Sequence, residues 1–114
     1  MNKCQQEVFN EVKNDLEVKT DNKCFNEKIE CLIKAIKDLD LIAKYDLLQE
    51  DLSVKRISDY SIGLYINLSS RNKLAIIVNE NEYIIFYKGN NEDEWKKKYV
   101  ENNTELTYNI QQFL

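Results

Sequence analysis

The residues of this chain with the chemistry to act on a substrate are three cysteines, Cys4, Cys24 and Cys31, and a run of carboxylates, Asp38, Asp40, Asp46, Glu50 and Asp51. Histidine is absent, and His is the side chain whose ordinary pKa near 6.5 most often serves general acid-base catalysis. A Ser-His-Asp or Cys-His pair is therefore excluded, and an activated thiol would depend on a helix terminus or a lysine. Cys24 falls in the first turn of an expected helix, where the dipole favours thiolate, but packing at the core or its boundary is the simpler role. Structural zinc takes four ligands, commonly with two in a short C-x2-4-C spacing, and Cys24 and Cys31 are seven apart. The carboxylates lack the Gly-containing loop of a calcium site and read as a solvated helix face, which can also meet a basic partner. No catalytic, cofactor or metal site is expected.

Two aromatic features remain. Trp95 and Tyr99 flank Lys96, Lys97 and Lys98, a pairing suited to stacking on single-stranded bases, yet Glu92, Asp93 and Glu94 directly precede them and cancel the field. The seven tyrosines fit a protein interface better, because a Tyr ring is apolar and its tip polar. The net charge of -4 likewise argues against nucleic acid and for a basic protein partner. At 114 residues the chain is one domain, able to bury roughly 65% of its unfolded surface. Three cysteines without a positively charged, apolar leader predict a reducing cytoplasm, and no apolar run approaches the roughly 20 residues that cross a bilayer.

The elements that would position these groups are legible in the hydrophobic pattern. From Asn2 to Lys19, Cys4, Val8, Val12 and Leu16 recur at helical spacing. Thr20, Asp21 and Asn22 supply caps for a second helix with Phe25, Ile29, Leu32, Ile33, Ile36 and Leu39 on one face. Asp38-Leu39-Asp40 is a candidate break, with Asp40 as cap of a third, shorter helix carrying Leu41, Ile42, Tyr45 and Leu48. Leu52 to Ser58 leads on as a candidate short edge strand. Tyr60, Ile62, Leu64, Ile66 and Leu68 then alternate with polar or small residues, the period of a strand with one buried face. Two further strands follow, Leu74 to Val78 and Tyr83 to Tyr87, across turns at Ser69-Asn72 and Asn79-Glu82. Residues 92-100 suit a loop, a helical turn or a fourth edge strand guarded by lysines. A C-terminal helix with Asn103 or Thr104 as cap carries Leu106, Ile110 and Phe113. The reading is an α+β fold: two or three N-terminal helices packed on a three- to four-stranded antiparallel meander, with a C-terminal helix. The sheet face carrying Tyr65, Asn67, Ala75 and Ile77 is then either covered by the last helix or an interaction surface.

The meander Ser61-Ile62-Gly63-Leu64-Tyr65, Lys73-Leu74-Ala75-Ile76-Ile77-Val78 and Tyr83-Ile84-Ile85-Phe86-Tyr87, preceded by helices, resembles small bacterial immunity and antitoxin-like proteins of contact-dependent and other polymorphic toxin systems. The resemblance covers about a quarter of the chain and implies a non-enzymatic protein that neutralises a cognate toxin, often a basic nuclease, by protein-protein contact. The anchors expected from the sheet are Tyr65, Tyr83 and Tyr87, with Asp38, Asp40, Asp46, Glu50 and Asp51 as electrostatic partners. The alternatives are a phage-type inhibitor of a host nuclease, similar to anti-CRISPR proteins, and a small enzyme using carboxylates or a thiol.

Overall fold

Five strands form one antiparallel sheet in sequence order in the computed structural model, which describes residues Met1–Leu114. They are β1 (Leu52–Ser58), β2 (Ser61–Asn67), β3 (Lys73–Asn79), β4 (Tyr83–Lys88) and β5 (Lys96–Val100). Four helices accompany them, α1 (Lys3–Leu16), α2 (Lys23–Asp38), α3 (Leu41–Lys44) and α4 (Leu106–Phe113), so the chain is α+β. Both segments with weak patterns, 52–58 and 92–100, contain strands, and the sheet has one strand more than the upper expectation. Edge strands have a single neighbour and need few apolar residues, which is why β1 and β5 each bury just one residue, Leu52 and Val100.

Register assigns the faces. Residues opposite one another in an antiparallel pair point the same way. The pairs Val54↔Leu64, Leu64↔Ile76, Ile76↔Ile85 and Tyr83↔Val100 thus define one inner face. Ile62, Leu64, Ile66, Leu74, Ile76, Val78, Tyr83 and Ile85 share a single core with Phe9, Val12 and Leu16 of α1, Phe25, Ile29, Leu32 and Ile36 of α2, and Leu106 and Ile110 of α4. All the helices that build this core therefore lie on one side of the sheet.

Local hydrogen bonding explains where the helices stop and start. The Asn2 side chain accepts from Gln5 N at 2.8 Å and Gln5 Oε1 accepts from Asn2 N at 3.0 Å, a reciprocal cap that begins α1. The helix ends at Leu16 rather than near Lys19 because Thr20 and Asn26 bind each other, Oγ1 to Oδ1 at 2.8 Å and Nδ2 to the Thr20 carbonyl at 2.9 Å. Such bonds compete with helical ones. Asn22 Oδ1 then accepts from Phe25 N at 2.9 Å and starts α2. Asp40, with φ of 51°, breaks the chain as expected but does so through its backbone, since its side chain makes no cap bond. Asp46 repeats this left-handed conformation, which Asp tolerates better than most residues. The turn it makes buries Leu47 and leaves Leu48 56% exposed, correcting the expectation that Leu48 belongs to the third helix face.

At the C-terminus Asn102 rather than Asn103 or Thr104 is the cap, accepting from Thr104 N at 3.0 Å, and a 3-10 turn at Asn103–Glu105 precedes α4. Asn103 is committed elsewhere. Its Oδ1 accepts from Lys28 Nζ at 2.9 Å and lies 3.1 Å from the Tyr83 hydroxyl, which also lies 3.0 Å from the Lys28 carbonyl oxygen. Lys28 Nζ donates as well to the Glu101 carbonyl at 2.8 Å and sits 4.8 Å above the Tyr83 ring. A buried ammonium without such partners would cost several kcal/mol, and here carbonyl dipoles and a ring face replace water.

Tyr83 is fully buried. Burial, and after it the nearby Cys31 thiol, push its phenol far above the usual value near 10. The folded phenol therefore keeps its proton where the unfolded chain loses it, and its contribution to stability is present below about pH 10 and lost above it. Tyr83→Phe is expected to cost about 1 kcal/mol at neutral pH through the lost hydrogen bond. Above pH 10 the wild type should lose about 1.4 kcal/mol per unit through this group while the variant does not, so urea titrations at stepped alkaline pH should show the gap closing.

Candidate interaction face

The opposite face of the sheet is built from the alternate residues. Pairings place Lys55 of β1 beside Gly63, Tyr65 beside Ala75, Ala75 beside Phe86, Ile77 beside Ile84, and Phe86 and Ile84 beside Lys97 and Tyr99. Helix α4 does not cover them. It lies on the inner side, where the Phe113 ring stacks on Tyr87 with centroids 5.6 Å apart. The outer face thus remains open, with Trp95 47% and Tyr99 54% exposed. Tyr65, Ala75, Ile77, Phe86 and Trp95 line an open depression of about 570 Å³ with no charged or polar residue in its wall.

Gly63 shapes this surface. A Cβ there would stand 2.8 Å from Cε2 and Oη of Tyr65 and 3.0 Å from Cδ1 of Ile77, so the missing side chain lets the Tyr65 ring lie across its own strand. Lys55 Nζ is 5.6 Å from the centroid of that ring. At the other side Lys97 Nζ is 4.7 Å from the Tyr99 centroid and 5.5 Å from that of Phe86. Each such approach adds roughly 0.5–1 kcal/mol at an exposed site and orders the aromatic surface.

Lys55, Lys73, Lys88 and Lys97 occupy outer positions of β1, β3, β4 and β5, and no Asp or Glu stands at an outward position of any strand. In a chain of net charge -4 the strand positions of this face carry lysines and no acids, and at one end Glu92 and Asp93 line a shared depression with Lys73 and Lys88. The nearest acids in sequence, Glu92, Asp93 and Glu94, belong to the β4–β5 connection, and Glu92 bridges to Lys96 at 3.0 Å.

The sequence-predicted residues divide. Tyr65 is on the open face, half-buried. Tyr83 and Tyr87 are not, a correction to their expected role as anchors beside it: Tyr83 is in the core and Tyr87 packs under Phe113. Tyr87 also raises the pKa of Tyr45, after burial as the larger cause. Asp38, Asp40, Asp46 and Glu50 are exposed, on α2, on the turns around α3 and in the 3-10 turn before β1. Asp40 and Asp46 are explained by backbone conformation, and Asp51 accepts from Leu48 N at 2.8 Å. These acids form no cluster of a kind that holds a metal ion. Cys4, Cys24 and Cys31 are free, the first two exposed.

Phe86, Trp95, Lys55 and Lys97 are the members of the face that pattern reading misses. A signal for Phe86 existed. The connection Asn79–Glu82 pairs Val78 with Tyr83, and since Val78 belongs to the inner set, Tyr83, Ile85 and Tyr87 must point inward and Ile84 and Phe86 outward. Compared with known proteins, the chain matches no family model, no curated protein and no solved structure. No helix is long and apolar enough to cross a membrane.

Gly63→Ala tests the packing of Tyr65. The clash falls mainly on the mobile end of that side chain, so the ring should swing aside at a cost below about 1 kcal/mol in unfolding free energy. The emission of Trp95, the only tryptophan, should shift, because it shares the depression with Tyr65. Loss of several kcal/mol with unchanged emission would place the clash in the fixed backbone instead.

Proposed function

We propose that this chain is a non-enzymatic binding protein of the bacterial immunity type, which neutralises a cognate toxin in the cytoplasm by docking it on the outer face of the sheet. The observation that supports this reading most is the open apolar wall formed by Tyr65, Ala75, Ile77, Phe86 and Trp95. Uncovered apolar surface rimmed by polar residues is the kind of surface on which partners commonly dock. Its chemistry also fits the anatomy of protein interfaces, with aromatic and aliphatic residues at the centre and charges at the rim. A sheet backed by α1, α2 and α4 presents these residues with little conformational entropy left to lose, which favours tight association. Free cysteines on the surface are in keeping with a reducing compartment.

Co-expression with the product of the adjoining gene is the direct test. The neighbour should be toxic alone and harmless beside the wild-type chain. Phe86→Asp, which places a carboxylate in the centre of the wall without touching the core, should abolish protection and weaken binding by about 30-fold or more, as central interface residues do. A harmless neighbour, or full protection by a folded Phe86→Asp chain, contradicts the proposal.

A further inference from the structure

The strand positions of the outer face differ in sign from the molecule that carries them, and this bears on what the face can bind. We infer that its partner is a protein surface with apolar side chains at the centre and carboxylates around them, rather than the basic surface that the overall charge suggests. The inference rests on the docking role of this face and not on the partner being a toxin.

Charge complementarity carries the argument. Lys55 and Lys97 flank the apolar wall on β1 and β5, and no outward strand position holds an acid; Lys73 and Lys88 pair at one end of β3 and β4, where Glu92 and Asp93 stand near them. An approaching basic surface would meet the Lys55 and Lys97 ammonium groups beside the wall, and like-charge juxtaposition across an interface costs several kcal/mol. A second copy of this chain, face to face, is disfavoured for the same reason, since the strand positions of neither face offer a carboxylate to the other's lysines. Single-stranded nucleic acid would satisfy the charges, but it binds such faces by stacking bases on open rings. Here ammonium groups already stand over Tyr65, Phe86 and Tyr99, and beside these rings the face offers the half-buried aliphatic side chains of Ile77 and Ile84. Carboxylates can draw Lys55 and Lys97 aside into ion pairs and uncover the rings for apolar side chains, so the acidic rim and the apolar centre act together.

Titration of the full chain with three probes tests this, read by backbone amide shifts and Trp95 emission. The probes are a helical peptide with Leu on one face and Glu on the other, the same peptide with every Glu replaced by Lys, and an oligothymidylate. The Glu peptide should move Lys55, Tyr65, Ile77, Phe86 and Lys97 and bind at least about tenfold more tightly than the Lys peptide. The double variant Lys55→Glu, Lys97→Glu should lose that preference while retaining its fold, shown by an unchanged unfolding midpoint. Tighter binding of the oligothymidylate, equal binding of the two peptides, or no perturbation of the outer face by any probe up to millimolar concentration would overturn the inference. No toxin is present in this experiment, so failure of protection by co-expression and failure here are separate results.

Discussion

Tyr83 is the residue on which the arrangement of the two layers depends. Its ring fills the core, its hydroxyl faces the Lys28 carbonyl of α2 and the Asn103 side chain before α4, and the Lys28 ammonium stands over its ring. One buried cluster thus ties the sheet, the long helix and the last turn of chain together. Because Asn103 is held there and Phe113 is stacked on Tyr87, α4 is committed to the inner side. The outer face is open as a consequence, and the property that suggests function follows from a packing constraint on the other side of the sheet.

That face is organised by pairings between strands distant in sequence. Tyr65 needs the gap at Gly63 to lie flat, Ala75 keeps the centre low between Tyr65 and Phe86, and Lys97 reaches two rings from the edge strand. The lysines keep water and charge at the rim, where they deter association with further strands, while the middle stays apolar. Net charge describes the whole molecule and governs encounter at long range. The local sign of a face governs what can remain in contact with it, and in this chain the two are opposed.

Much of the inner architecture is legible in the sequence. The alternation from Ile62 to Ile66 marks a half-buried strand, the spacing of Phe25, Ile29, Leu32 and Ile36 marks α2, and both appear where the pattern places them. Two kinds of feature escape. Edge strands such as β5 bury too little to show a period, and a left-handed residue such as Asp46 rotates the following register so that Leu47 rather than Leu48 is buried. The outer face escapes for another reason: β4 is apolar or aromatic at almost every position, so composition cannot say which side is which. Only the register imposed by the turn before it can, and that signal turns Tyr83 and Tyr87 inward.

The outer face of the sheet is open in the free protein, and the helices occupy only the inner one. Relaxation by a soluble nitroxide, measured on side-chain signals at low and high protein concentration, tests it most directly. Ile77, Ile84, Phe86 and Trp95 should broaden strongly at both concentrations, while Ile76, Ile85 and Tyr83 remain sharp. Outer-face signals as protected as Ile85, or protected only at high concentration, would show the face to be covered by the chain itself or by a second copy, and would contradict the account.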